Sequence, residues 1–311
     1  MIYPECDYCQ SSHRKVKYDF GNYKLVQCRQ CGLLYLYPRP GQDELKKLYS
    51  GSYFTTNIRE TNWTEDNTEK ERLIKKKQAM LNYVQKYLGM WNKGVFLEIG
   101  CATGYLVELA KRCGFDTKGI EISEYASSLA RQLTMRPIFT GTIEQALKSS
   151  FIMPNSVDVI VMSHVLEHVD SPRETLKAIF SALKSGGIAV LRCPDIGGLD
   201  ARLGGKRWDG LRIPYHYYHF TPVTLGKYLT EIGFKVIEFD YWIHRLIKHP
   251  LLFIRNMMGF IGPNTKKHRT AADAMSKAGV NKEMPSRIGK GIKRVLYPFR
   301  GRSMTFVVKK P

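Results

Sequence analysis

Between Val95 and Cys193 the chain changes hydrophobic period repeatedly, and that alternation restricts its fold more than any other feature. Val95-Phe-Leu-Glu-Ile-Gly100 is a short apolar run closed by a glycine, and Tyr105 to Cys113 then takes up helical spacing. Asp116 to Glu121, Pro137 to Thr140, Val157 to Met162 and Gly187 to Cys193 read as further strands. Helices starting near Ser123, over Ile143 to Lys148 and over Pro172 to Lys184 separate them. Strands joined through helices need crossover connections, so the pattern specifies a parallel sheet covered on both faces. Phe234 to Tyr241 and Ser303 to Lys309 read as two closing strands. A polar stretch, Thr55 to Lys77, and a helical pattern from Gln78 to Leu88 lead into this core. The expected division is 1–54, 55–93, a core of 94–242 with 303–311, and an insertion of 243–302.

Ahead of the core lie four cysteines, Cys6-x-x-Cys9 and Cys28-x-x-Cys31. Each CxxC turn aims two thiolates at one point, and two such turns complete a tetrahedral sulfur shell with no position left for a catalytic water. The spacing predicts a structural zinc ribbon whose short β-rich segments draw folding energy from the metal. Two disulfides would need an oxidising compartment, and MIYPECDYC has no secretory pattern. A thioredoxin-like pair would need one CxxC in a βαβ setting. Cys101, Cys113 and Cys193 lie in apolar runs and read as small core residues.

The first glycine turn, Gly100-Cys101-Ala102-Thr103-Gly104, uses small residues at alternate positions, as backbone must when it approaches a nucleotide. An acid, Glu121, closes the next strand, where a carboxylate can accept both hydroxyls of a ribose. LEIGCATGYL, GIEIS, DVIVMSHVLEHVDSP, LKSGGIAVLRCPD, PYHYYHFTPVTL and EIGFKV, in this order, resemble the class I S-adenosylmethionine-dependent methyltransferases over roughly 78–242. CRQCGLLYLYPRP and LYSGSYF resemble the zinc-ribbon extension of a bacterial branch associated with saccharide, glycolipid or small-molecule methylation. The resemblance implies an α/β, Rossmann-like seven-stranded sheet of order 3-2-1-4-5-7-6 with its last strand antiparallel, and S-adenosylmethionine as cofactor. It implies that Glu98, Gly100, Cys101, Ala102 and Gly104 border the methionine part and that Glu121 binds the ribose. Ile122 would pack on the adenine, with Thr142 and Ile143 at its edge. Ser163 and His164 would face the sulfonium region. Ala102 departs from the usual middle glycine, and its methyl group narrows the turn.

A sulfonium is already an activated donor, so the protein must align the acceptor and take a proton. His168 in VLEH, and His216 and His219 in PYHYYHF, are the candidate bases. His168 also reads as a loop anchor. Tyr215, Tyr217, Tyr218 and Phe220 around the other two suit either a sugar-binding wall or a plain core. In related sequences this segment lines the acceptor pocket. Thr221-Pro222 reads as a helix N-cap and first turn.

Charge is uneven: of a formal net +20, residues 243–311 carry 16 Lys/Arg against 2 Asp/Glu. The insertion contains Pro250-Leu-Leu-Phe-Ile-Arg-Asn-Met-Met-Gly-Phe-Ile261, too short to span a bilayer. It reads either as an interfacial helix touching anionic membrane, matching a lipid-linked acceptor, or as a lid or dimer helix. The function expected is O-methylation of a saccharide, glycolipid or related small molecule in the cytoplasm, with peripheral contact at the membrane's inner face as an option. An RNA methyltransferase and a catalytically silent binding protein are the alternatives; nucleic acid is disfavoured because no aromatic-interleaved basic platform is visible.

Overall fold

A computed structural model of the chain describes residues 1–41, 67–88, 94–241 and 303–311. The expected membrane or lid segment, 243–302, the polar stretch from Thr55, and Tyr49 to Phe54 fall outside them, apart from the helical residues that begin at Asn67.

The alternating runs form the expected sheet. Its strands are β4 (Val95–Ile99), β5 (Asp116–Glu121), β6 (Ile138–Thr140), β7 (Val157–Ser163), β8 (Leu183–Pro194), β10 (Lys235–Tyr241) and β11 (Ser303–Lys309). The spatial order is β10-β11-β8-β7-β4-β5-β6. Numbered within the core alone, this is 3-2-1-4-5-7-6 read from the other edge. Neighbours from β8 to β6 run parallel, and β11 is antiparallel to both β8 and β10.

Successive residues of the strands serve opposite faces, as the pleat requires. Leu97, Ile99, Ile160, Met162, Ala189 and Leu191 enter one core cluster. Phe96, Val159, Val161, Ile188, Val190 and Val307 enter another. On the first face lie α4 (Ile143–Lys148), α5 (Pro172–Ala182) and α7 (Pro222–Ile232), through Ile143, Leu176, Ile179, Leu225 and Leu229. On the second lie α1 (Asn67–Leu88) and α2 (Tyr105–Arg112), through Met80, Leu81, Val84, Leu106 and Ala110. The remaining core helix, α3 (Glu124–Thr134), is capped by Ser123, whose hydroxyl accepts from the Ala126 amide.

Two boundaries differ from the periodicity. Helix α1 starts at Asn67, well before the apolar pattern at Gln78. Glu69, Lys70, Glu71, Arg72, Lys75 and Lys76 are good helix formers that carry no apolar stripe, so propensity extends the helix where periodicity is silent. Helix α5 ends at Ala182 and not at Lys184, because Leu183 is already extended and pairs with Val157 as the first residue of β8.

The N-terminal segment forms β1 (Arg14–Asp19), β2 (Lys24–Cys28) and β3 (Leu34–Tyr37), all antiparallel. A fourth strand completes their sheet: β9 (Tyr218–His219), from the PYHYYHF segment of the core, pairs with β3. Between β8 and β9 lies the short helix α6 (Leu199–Gly204). Cys6, Val26, Cys28, Leu33, Tyr35 and Leu36 belong to the same apolar cluster as Leu176 and Tyr228, so the ribbon is roofed onto α5 and α7.

Candidate active site

At the carboxyl end of β4, Gly100 has φ +70°, and a Cβ there would lie 2.2 Å from Val165 Cγ2. Only glycine fits where this turn meets the loop after β7. Ala102 also occupies the left-handed region, at φ +48°. Its amide donates to Glu121 Oε2 at 2.8 Å, and the Ser123 amide donates to Glu121 Oε1 at 3.1 Å. The turn and the end of β5 are thereby locked around one carboxylate. Burial raises the Glu121 pKa, and hydrogen bonds from the Ser123, Ala102 and Ile122 amides act against that rise. Ile122, beside it, is 71% exposed, an apolar side chain offered to solvent.

The other residues expected around the cofactor divide by burial. Glu98 is buried and paired with Lys77 Nζ of α1 at 3.1 Å. Cys101 is buried among Val107, Ala130 and Ile138, and burial pushes its thiol well up. Gly104, at φ +87°, backs onto Thr134 of α3. Thr142 caps α4 in a capping box with Gln145, whereas the Ile143 side chain enters the core. Around the turn and the ends of β5 and β6, Ile122 is exposed and Gly100, Ala102 and Thr142 are half-buried. Cys193 is buried and Cys113 half-buried, both with thiols raised by burial.

At the end of β7, Ser163 is half-buried and His164 takes φ +58° with 47% of its side chain exposed. His164 Nδ1 lies 3.3 Å from Glu167 Oε1. Glu167 is buried, which acts to raise its pKa, yet the hydrogen bond to His164 and the imidazoles of His164, His168 and His216 hold it at about 2. His168 Nδ1 faces the Tyr215 carbonyl at 2.9 Å, and the Tyr217 and Tyr218 amides donate to the Glu167 carbonyl at 2.8 and 3.1 Å. The HVLEH loop and the PYHYYHF segment are one assembly.

His216 and His219 are each only 3% exposed, and burial pushes them down to about 2 and about 4. His168 is likewise lowered by burial. Tyr217, Tyr218 and Phe220 pack into the core, leaving Tyr215 as the partly exposed ring of that stretch. The aromatic run is chiefly packing. Sequence reasoning missed Glu167, although its place three residues after His164 was a readable signal.

The four ribbon cysteines converge, with Cys6 Sγ 3.4 Å from Cys31 Sγ and Cys9 Sγ 3.5 Å from Cys28 Sγ, all four within 4.8 Å of one another. These are far outside bonded sulfur, so the cysteines are not paired as disulfides. A tetrahedral zinc with bonds of ~2.3 Å sets its sulfurs about 3.8 Å apart, which this donor set fits. After each pair, Gln10 and Gly32 turn left-handed and return their amides to the Cys6 and Cys28 carbonyls. Asp7, inside the first knuckle, accepts from Ser171 Oγ at 2.6 Å, the Arg173 amide at 3.1 Å and Tyr228 OH at 2.8 Å. It fastens the knuckle to the N-terminus of α5 and to α7.

A family model described as a methyltransferase domain matches residues 70–239, more than half of the chain. The chain belongs to that family. Among curated relatives, the chain is 29% identical over 127 residues to a ubiquinone biosynthesis O-methyltransferase of Paraburkholderia phymatum, covering 40% of this chain and 54% of that protein. It is 28% identical over 187 residues to the enzyme of the same name from Nitrosospira multiformis, covering 57% and 77%. The chain spans about half the length of the first of these relatives. Its fold matches a solved structure from Galdieria sulphuraria, provisionally named a sarcosine dimethylglycine methyltransferase, with a TM-score of 0.51 at 12% identity over 78% of this chain and 87% of that one.

Proposed function

We propose that this chain is an S-adenosylmethionine-dependent O-methyltransferase acting on a hydroxyl of a small molecule. The reading is carried by one juxtaposition: the glycine–alanine turn, the amide-held Glu121 and the exposed His164 all stand at the carboxyl ends of adjacent parallel strands, where open α/β sheets collect ligands. Glu121 accepts the ribose hydroxyls, exposed Ile122 lies under the adenine, and Thr142 borders its edge. The relatives' names support transfer to oxygen.

The cofactor, when bound, supplies the activated methyl group. The chain's part is to orient the acceptor and receive its proton. His164 is better placed for that than His216 or His219, because it alone of the three reaches solvent. A carboxylate beside Nδ1 fixes the ring with Nε2 outward, the arrangement of an oriented general base. Glu167 is therefore a positioning residue. The ribbon is structural and binds zinc through Cys6, Cys9, Cys28 and Cys31. A saccharide or lipid-linked saccharide remains the proposed acceptor class, with a phenol as its competitor.

The test is calorimetric titration with S-adenosylmethionine, followed by S-adenosylhomocysteine release with sugar and phenolic acceptors. Saturable binding, with turnover that falls by about 10²–10⁴ in His164→Ala at unchanged cofactor affinity, is the expected outcome. A folded protein that binds no cofactor overturns the enzyme reading, and full activity in His164→Ala overturns the base.

A further inference from the structure

Behind His164 lies a second set of converging donors. One carboxylate oxygen of Glu167 and one ring nitrogen each of His168 and His216 lie within 4.8 Å of one another. They come from two separate segments, the loop after β7 and the stretch before β9, which the backbone holds together.

The tautomers follow from the partners. His168 Nδ1 faces the Tyr215 carbonyl and His216 Nδ1 faces the Gly210 carbonyl, each at 2.9 Å. A carbonyl can only accept, so in both rings Nδ1 carries the hydrogen, and Nε2 bears the lone pair when the ring is neutral. An imidazole whose Nδ1–H is pinned to a backbone carbonyl is oriented as metal-binding histidines are. The two rings stand nearly perpendicular, with centroids 4.6 Å apart. Glu167 Oε2 and His219 Nε2 are buried and find no hydrogen-bond partner among the described residues, and His219 stands 6.0 Å from His216 by ring centroid. A buried carboxylate oxygen that no donor reaches, close to two imidazoles, is a place short of positive charge.

We propose that Glu167, His168 and His216 form a second metal site, distinct from the cysteine cluster, that takes one divalent ion. Two imidazole nitrogens with one carboxylate select a borderline ion of the zinc, cobalt or nickel kind over magnesium or calcium, which prefer oxygen shells. Three protein ligands leave at least one coordination position for water or an acceptor oxygen. The site does not depend on methyl transfer, and cofactor affinity is read separately from metal content.

Cobalt titration of the metal-free full chain, followed by absorption spectroscopy, separates the two sites, because only the ribbon gives thiolate-to-cobalt charge transfer. We expect two equivalents per chain, the second adding no charge-transfer intensity. In His168→Gln, His216→Asn and Glu167→Gln, that second equivalent should be lost while the thiolate spectrum and S-adenosylmethionine binding persist. A single equivalent, fully accounted for by thiolate, means that a proton and not a metal balances Glu167, and overturns the proposal. A second equivalent that survives all three substitutions overturns it equally.

Discussion

Leu34 of the N-terminal ribbon stands directly opposite His219 of the core in an antiparallel register. With Tyr35 opposite Tyr218, this pairing makes the ribbon sheet incomplete without a strand from the methyltransferase domain. The segment that carries His216 is thus shared, tied to the core through the Glu167 carbonyl and to the ribbon through Tyr218 and His219.

Stripping the metal from the cysteine cluster should therefore act on one end of the sheet more than the other. After chelation, S-adenosylmethionine affinity should stay within about threefold, well under 1.4 kcal/mol. Hydrogen exchange at 34–37 and 215–221 should rise, as opening of that local unit predicts. Unchanged protection there after zinc loss would show that β9 needs no ribbon.

Glu121 can be tested alone. Glu121→Ala should weaken S-adenosylmethionine by about 1.5–3 kcal/mol, the worth of hydrogen bonds to a charged group. The pH sign follows from burial: the Glu121 pKa is raised, so acidification protonates it earlier than an exposed glutamate. The ribose hydroxyls need an acceptor, so affinity should hold at neutral pH and fall as the pH drops through that raised value. Calorimetry across this range should show the fall in the wild type and its absence in Glu121→Gln.

The turn offers a paired substitution of opposite sign. Gly100→Ala places a methyl group 2.2 Å from Val165 in a left-handed conformation, and should cost about 1–3 kcal/mol in denaturant unfolding. Ala102→Gly relieves a left-handed alanine, and should be neutral or stabilising by up to about 1 kcal/mol. If both destabilise equally, the conformational argument is wrong.

Asp7→Ala removes the acceptor shared by Ser171, the Arg173 amide and Tyr228. The largely buried Tyr228 hydroxyl loses its partner and the α5 N-terminus loses a carboxylate, so a loss of about 2–3 kcal/mol is expected. Thermal unfolding at constant zinc measures it, and a change below about 0.5 kcal/mol would assign the contact no weight.

Local pattern carried most of the core. The glycine turn, the acid at the end of β5, the Thr221-Pro222 cap and the limits of β11 were all legible, because each depends on neighbours in sequence. The convergence of CxxC pairs was legible for the same reason. Long-range meetings were not. Tyr218–His219 is too short to show a period, and nothing local announces that it pairs with Leu34. Sequence left the aromatics around His216 and His219 open between a sugar-binding wall and a plain core, and burial of both histidines to 3% exposure favours the core. His164, read as a cofactor neighbour, is the exposed imidazole with a carboxylate beside it.

The four-stranded sheet also sets the unit of exchange between relatives. Residues 1–41 cut away by themselves would leave Tyr218–His219 as a bare strand edge, and a foreign ribbon would have to match its register. A chimera that exchanges the ribbon together with 215–221 keeps both sides of that seam. The two segments, far apart along the chain, are inherited or grafted as a single piece.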